Sequence, residues 1–205
     1  MLSLYCHVEE PSMAETLRIL LPGLVGQRAH CEVINHGSKD QLLKNLPSRL
    51  QGYRTLSRSM DLRILVLVDR DDDSCQEVKQ KLENMAMDKG VSTKSRPQSD
   101  GTFMVVNRIV VEELESWFFG DISAVCAAYD RMSPSLGSKR NYRDPDAIVG
   151  GTWEALHREM QKAGYYHDHF PKMEVARKIS PHMVCDTNRS PSFQAFCRGV
   201  ESLLP

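Results

Sequence analysis

The chain has 205 residues, 41% of them hydrophobic, with 26 Lys and Arg against 27 Asp and Glu. That length can bury a sizeable core without staples, and the ordinary composition excludes disordered and collagen-like classes. A net charge of −1 argues against gripping nucleic acid by bulk charge alone, and no apolar run approaches the roughly 20 residues needed to span a bilayer.

The N-terminus lacks a basic start, so no signal peptide is expected and the chain is expected in the cytoplasm. Residues 2–8 alternate weakly and predict a strand. Pro11 then opens a helix with Met13, Leu17, Leu20 and Leu21 on its apolar face, and Pro22-Gly23 is expected to end it. Residues 30–36 predict a second strand. A helical stretch carrying Leu42, Leu43, Leu46 and Leu50 follows, with an interruption expected at Pro47. The clearest element is 62–68, a nearly all-apolar, β-branched run that fits a strand buried on both faces.

The acidic run 69–73 follows at once, and 74–88 read as a helix with Val78, Leu82 and Met85 on one side. After a polar loop at about 90–101, residues 103–106 and 109–111 predict another strand, with a bend or bulge allowed at Asn107-Arg108. A carboxylate-rich helix over 112–119 comes next. This β-α alternation predicts an α/β fold over 1–120, with a mostly parallel central sheet flanked by helices. From 121 to 205 only short helices are expected, near 121–130, 152–163, 172–182 and 191–204, as a helical extension packed on the core. The six cysteines, Cys6, Cys31, Cys75, Cys126, Cys185 and Cys197, form no CxxC pair and are expected to be free thiols.

Ligands of parallel α/β sheets bind outside the carboxyl ends of the strands. Glu9 and Glu10 follow the first predicted strand, Asp69, Asp71, Asp72 and Asp73 the central one, and Glu112, Glu113 and Glu115 the next. Crowded hard oxygen donors select Mg²⁺, Mn²⁺ or Ca²⁺. If the chain stays extended past Asp69, then Asp69 and Asp71 share one side of the sheet edge. Acidic residues at a helix start also serve as solvated caps that suit the helix dipole, so spacing alone leaves both readings open. His167-Asp168-His169, between Tyr165-Tyr166 and Pro171, reads as a surface loop. No GxSxG, Cys–His signature, P-loop or GxGxxG occurs, so any ATPase would be a separate partner.

Glu9 after the first strand and Asp69-Arg70-Asp71 after a later one resemble the Toprim domain of topoisomerases, primases and overcoming-lysogenization-defect (OLD) nucleases. The chain looks more closely like a family of Toprim-like bacterial proteins encoded beside ABC- or AAA-type ATPases in defence loci. The resembling pieces are 8–12, 68–73, 112–117, Pro171-Lys172, 176–179 and 189–193. The resemblance implies phosphodiester hydrolysis of DNA or RNA, with Mg²⁺ or Mn²⁺ held by Glu9, Asp69, Asp71, Asp72 and Glu115. Glu113 or Glu115 would complete a second metal position, and Lys172 would offset charge on the phosphate. Lys178, Arg189 and the loop bearing Lys139, Arg140 and Arg143 would position nucleic acid, or serve as ordinary basic surface.

Two positions depart from the pattern: Glu10 stands where Gly is usual, and Met13 where nuclease relatives carry an acid. Either Glu10 or Glu15 then substitutes, or one metal position is weakened. The rival expectations are a catalytically silent subunit that binds an ATPase, and a metal-dependent phosphohydrolase of small nucleotides.

Overall fold

In the computed structural model, which describes residues 1–71 and 73–205, four parallel strands form one sheet in the order β2-β1-β3-β4. These are β1 (Leu2–Val8), β2 (Ala29–Asn35), β3 (Leu62–Asp69) and β4 (Val105–Val110). Between them run α1 (Pro11–Val25), α2 (Lys39–Leu56) and α3 (Cys75–Asp88). The C-terminal part is helical, with α4 (Glu115–Gly120), α5 (Ile122–Ala128), α6 (Thr152–Lys162), α7 (Lys172–Ile179) and α8 (Pro191–Glu201). Among the described residues no helix is long and apolar enough to cross a membrane.

Alternation along the strands divides the core in two. Leu4, Cys6, Val8, Leu65, Leu67 and Val106 face α1 and the C-terminal helices. Ile64, Val66, Val68 and Val105 face α2 and α3. Trp117 anchors the first layer. It is fully buried between Phe193 and Phe196, with ring centroids at 4.9 and 5.0 Å, and its indole N–H donates to Ser192 Oγ at 3.0 Å. Period-2 alternation puts Asp69 in the row of Leu65 and Leu67, on the side of the C-terminal helices. The strand order reverses direction between β1 and β3, so the ends of these two strands flank the switch point where α/β sheets bind ligands.

Several local expectations are corrected. Pro22 does not end α1. It opens the last turn, whose carbonyl at Pro22 accepts the Gly26 N–H at 3.1 Å, and the helix stops only where Gly26 takes φ 55°. Pro47 lies inside an unbroken α2, whose buried Leu42, Leu46 and Leu50 hold the helix against the sheet across the missing hydrogen bond. β4 runs through Asn107-Arg108 without a bulge, because the Asn107 amide is buried and donates to Glu83 Oε1 at 3.0 Å. Cys185 and Cys197 are joined in a disulfide, their Cα atoms 6.4 Å apart. The pairing depends on α8 packing beside the segment after α7, which spacing in the sequence does not encode. The other four cysteines are free.

Candidate metal centre

Three carboxylates meet water hardly at all at the carboxyl edge of the sheet: Glu9 and Asp69 are 5% exposed and Glu115 is 1% exposed. Glu9 straddles the switch point, its Oε1 accepting the Asp69 N–H at 2.7 Å. Glu9 Oε2 and Glu115 Oε1 are buried and, among the described residues, have no hydrogen-bond partner. Burial is the main reason that Glu9 and Glu115 each rise from the usual 4.5 to about 7. Nearby Asp71 and Glu10 push Glu9 further up, against its bond from the Asp69 amide. Lys172 opposes the rise of Glu115. Asp69 is raised well above its ordinary value by burial and then by Glu9, Glu10, Glu115 and Asp71.

The flanking groups are more solvated. Glu10 precedes α1 and accepts from Ser12 Oγ at 3.1 Å. Glu113 accepts from Thr152 Oγ1 at 3.1 Å and from the Trp153 N–H at 3.2 Å, which fixes the N-terminus of α6 to this edge. Lys172, at the start of α7, places its Nζ 3.6 Å from Glu113 and 3.8 Å from Glu10. Burial pulls its pKa down, but Glu115, Glu10, Glu113 and Asp69 outweigh burial and raise it.

Asp71 departs from the expectation of an extended chain. At φ 51° the backbone turns left-handed just past β3, and the side chain swings out to Lys39 at 2.9 Å. Asp73 joins the same ammonium at 2.7 Å. Glu112 is likewise left-handed, at φ 62°; its carbonyl accepts the Asp71 N–H and its carboxylate pairs with Arg70. Asp72 lies outside the described residues. Of the two substitutes for the missing family acid, Glu10 stands at the cluster, whereas Glu15 pairs with Arg18 and Arg177 at 3.2 and 3.3 Å.

Among the described residues no three His, Cys, Asp or Glu side chains converge as a ready metal-binding group. The fit to a cation therefore rests on the two partnerless oxygens and on the crowding of buried acids, which a divalent ion would offset.

The five basic residues expected at nucleic acid have different surroundings. Lys139 pairs with Glu159 at 2.6 Å, and Lys178 with Glu174 at 2.8 Å beside the Tyr129 and Tyr166 rings. Arg189 donates to the carbonyls of Gly137 and Arg143. Arg140 and Arg143 are exposed. Reasoning from sequence missed Lys39 and Arg158. Lys39 follows the helix-capping Ser38 just beyond β2, a placement that marks the same sheet edge and could have flagged it. Arg158 sits midway along α6 with no such signal.

A family model described as a domain of unknown function (DUF4276) matches residues 8–201. No curated protein matches. Among solved structures, the C-terminal region of the Burkholderia pseudomallei OLD protein aligns over 98% of both chains, at 16% identity and a TM-score of 0.42. Likeness at that level carries no argument about activity.

Proposed function

Since the chain belongs to the family described as a domain of unknown function (DUF4276), its activity has to come from its own residues, and we propose that it is a Mg²⁺- or Mn²⁺-dependent hydrolase of nucleic-acid phosphodiesters centred on Glu9, Asp69 and Glu115. The observation that carries this reading is that two of the three buried carboxylate oxygens without partners among the described residues, Glu9 Oε2 and Glu115 Oε1, belong to this cluster. A buried polar atom left unsatisfied costs about 1–3 kcal/mol, and more when charged.

Glu9 and Asp69 would hold the cation, and Asp71 would join them on leaving Lys39. When bound, the ion supplies neutralisation of phosphate charge and makes water easier to ionise. Glu115 has the properties of a general base at neutral pH: its free Oε1 can take the proton of the attacking water, and a pKa of about 7 suits that task. Lys172, held between Glu113 and Glu10, offers its ammonium to a phosphate oxygen beside Glu115. Glu113 keeps that lysine and the start of α6 in register.

One observation favours a second reading, a silent subunit that docks on an ABC- or AAA-type ATPase: two lysines already offset the outer acids, and no three acids converge among the described residues. Titrating Mn²⁺ and Mg²⁺ by calorimetry into wild type and Glu9→Gln/Asp69→Asn separates the two, with plasmid and single-stranded DNA and RNA as substrates. Binding and cleavage that disappear together in the variant are expected. Wild type that neither binds millimolar Mn²⁺ nor cuts would overturn the hydrolase and promote the silent subunit.

A further inference from the structure

A second polar feature lies on the same helix that Glu113 fixes to the acidic edge. The loop before α6 and the exposed side of α6 enclose a cavity of about 330 Å³. Arg140, Tyr142, Asp144, Ile148, Val149 and Arg158 line it. Arg140 and Arg158 are exposed, and among the described residues neither guanidinium makes an ion pair. The single acid in the lining, Asp144, is occupied locally, since its carboxylate accepts the Asp146 N–H at 3.3 Å.

The loop is held in shape from both sides, which separates it from a freely solvated turn. Lys139 binds Glu159 of α6 at 2.6 Å, and the Tyr142 hydroxyl donates to the same carboxylate at 3.3 Å. The Tyr142 ring is buried against Phe119, with centroids 4.8 Å apart. On the other side, Asp146 accepts from Ser190 Oγ at 2.6 Å and from the Ser192 N–H at 2.7 Å, and Arg189 donates to the carbonyls of Gly137 and Arg143. These bonds use up Lys139 and Arg189 as braces and leave Arg140 and Arg158 facing solvent across one concavity. Arg158 lies six residues beyond Thr152, about 9 Å along the helix axis, and Thr152 is bonded to Glu113. The basic cavity and the contact to the acidic edge thus share one helix, α6.

We propose that the cavity between Arg140 and Arg158 is a phosphate subsite for a single nucleic-acid strand whose scissile phosphate lies at Glu115 and Lys172. The inference rests on the hydrolase reading and adds to it where a flanking phosphate of the strand is held. Guanidiniums form forked bonds with phosphate, and such contacts position a strand without reading its bases.

The test is fluorescence anisotropy of a 5′-labelled single-stranded oligonucleotide, measured in EDTA so that binding is read apart from cleavage. Wild type, Arg140→Ala/Arg158→Ala, and the control Arg18→Ala/Arg58→Ala, which removes equal charge elsewhere, are compared after circular dichroism shows that each is folded. The first variant is expected to bind at least about tenfold more weakly, as loss of charge-assisted bonds implies. Its plot of log affinity against log salt should be shallower by about 0.7, the value for one phosphate contact on a single strand. No binding by wild type, an equal loss in the control, or an unchanged slope would overturn the subsite. Competition by millimolar inorganic phosphate that removes all binding would also overturn it, in favour of a small-anion site. Absence of cleavage with the binding result intact would instead count against the acidic centre and leave the subsite standing.

Discussion

Glu115→Gln tests the physical argument at the acidic centre most directly. The substitution keeps the shape of the side chain and mimics its protonated form. Glu115 is fully buried, and burial raises it from 4.5 in the unfolded chain to about 7 in the fold. An acid whose folded pKa is raised contributes its full stability below the unfolded value and loses it as pH rises through the folded value. At 1.36 kcal/mol per pH unit, the interval from about 4.5 to about 7 corresponds to ~3 kcal/mol. Urea denaturation in EDTA at pH 4.5, 6, 7 and 8 reads this out. Wild type and variant should match within about 1 kcal/mol at pH 4.5, and the variant should be more stable by ~3 kcal/mol at pH 8. With an m-value of about 2 kcal/mol/M, the midpoint difference is about 1.5 M urea. Added Mn²⁺ at pH 8 should stabilise both proteins, since Glu9 and Asp69 are intact in each. A stability difference that stays flat with pH would refute the account of Glu115 as a desolvated, uncompensated acid.

Other perturbations probe the surrounding structure. His7 is buried between His36 and Tyr53, and burial, then His36 and Arg49, lower it to about 3. Its contribution is therefore present at neutral pH and lost below about 6.5 at roughly 1.4 kcal/mol per pH unit; His7→Gln should flatten that limb of an acid-unfolding curve, and an unchanged limb would contradict the assignment. Lys39→Met removes two partly exposed ion pairs, so stability should change by less than about 1 kcal/mol. It also frees Asp71, and calorimetry should show Mn²⁺ binding several-fold tighter; weaker binding would make Lys39 a needed part of the centre. Trp117→Ala should cost ~3–5 kcal/mol in chemical denaturation, and a loss below about 1 kcal/mol would mean that Phe193 and Phe196 close the gap.

The sheet was readable because its strands carry their own pattern. Residues 62–68 are apolar on both faces, as a central parallel strand must be, and the β-α alternation put Glu9, Asp69 and Glu115 beyond strand ends. What was hidden depends on long-range packing or on single dihedral angles. Nothing local tells that Asp71 turns left-handed and leaves Asp69, or that Cys185 meets Cys197. Both internal prolines read as breaks in the sequence because propensity is a local quantity, whereas tertiary packing of Leu42, Leu46 and Leu50 holds α2 against the sheet. The same limit concealed the placement of Lys39, which the fold sets against Asp71 and Asp73.

Chain order at the acidic edge has a consequence for biosynthesis. Glu9, Asp69 and Glu115 belong to the first part of the chain, whereas the ammonium that faces them comes at Lys172. At about 5–20 residues per second, a ribosome takes roughly 3–11 s to make the 57 residues between Glu115 and Lys172. Throughout that interval the nascent sheet carries its acids without their lysine, and Trp117 lacks Phe193 and Phe196 for longer still. A nascent chain stalled before position 172 would expose this edge unfinished, so the centre comes together only after Lys172 has been added.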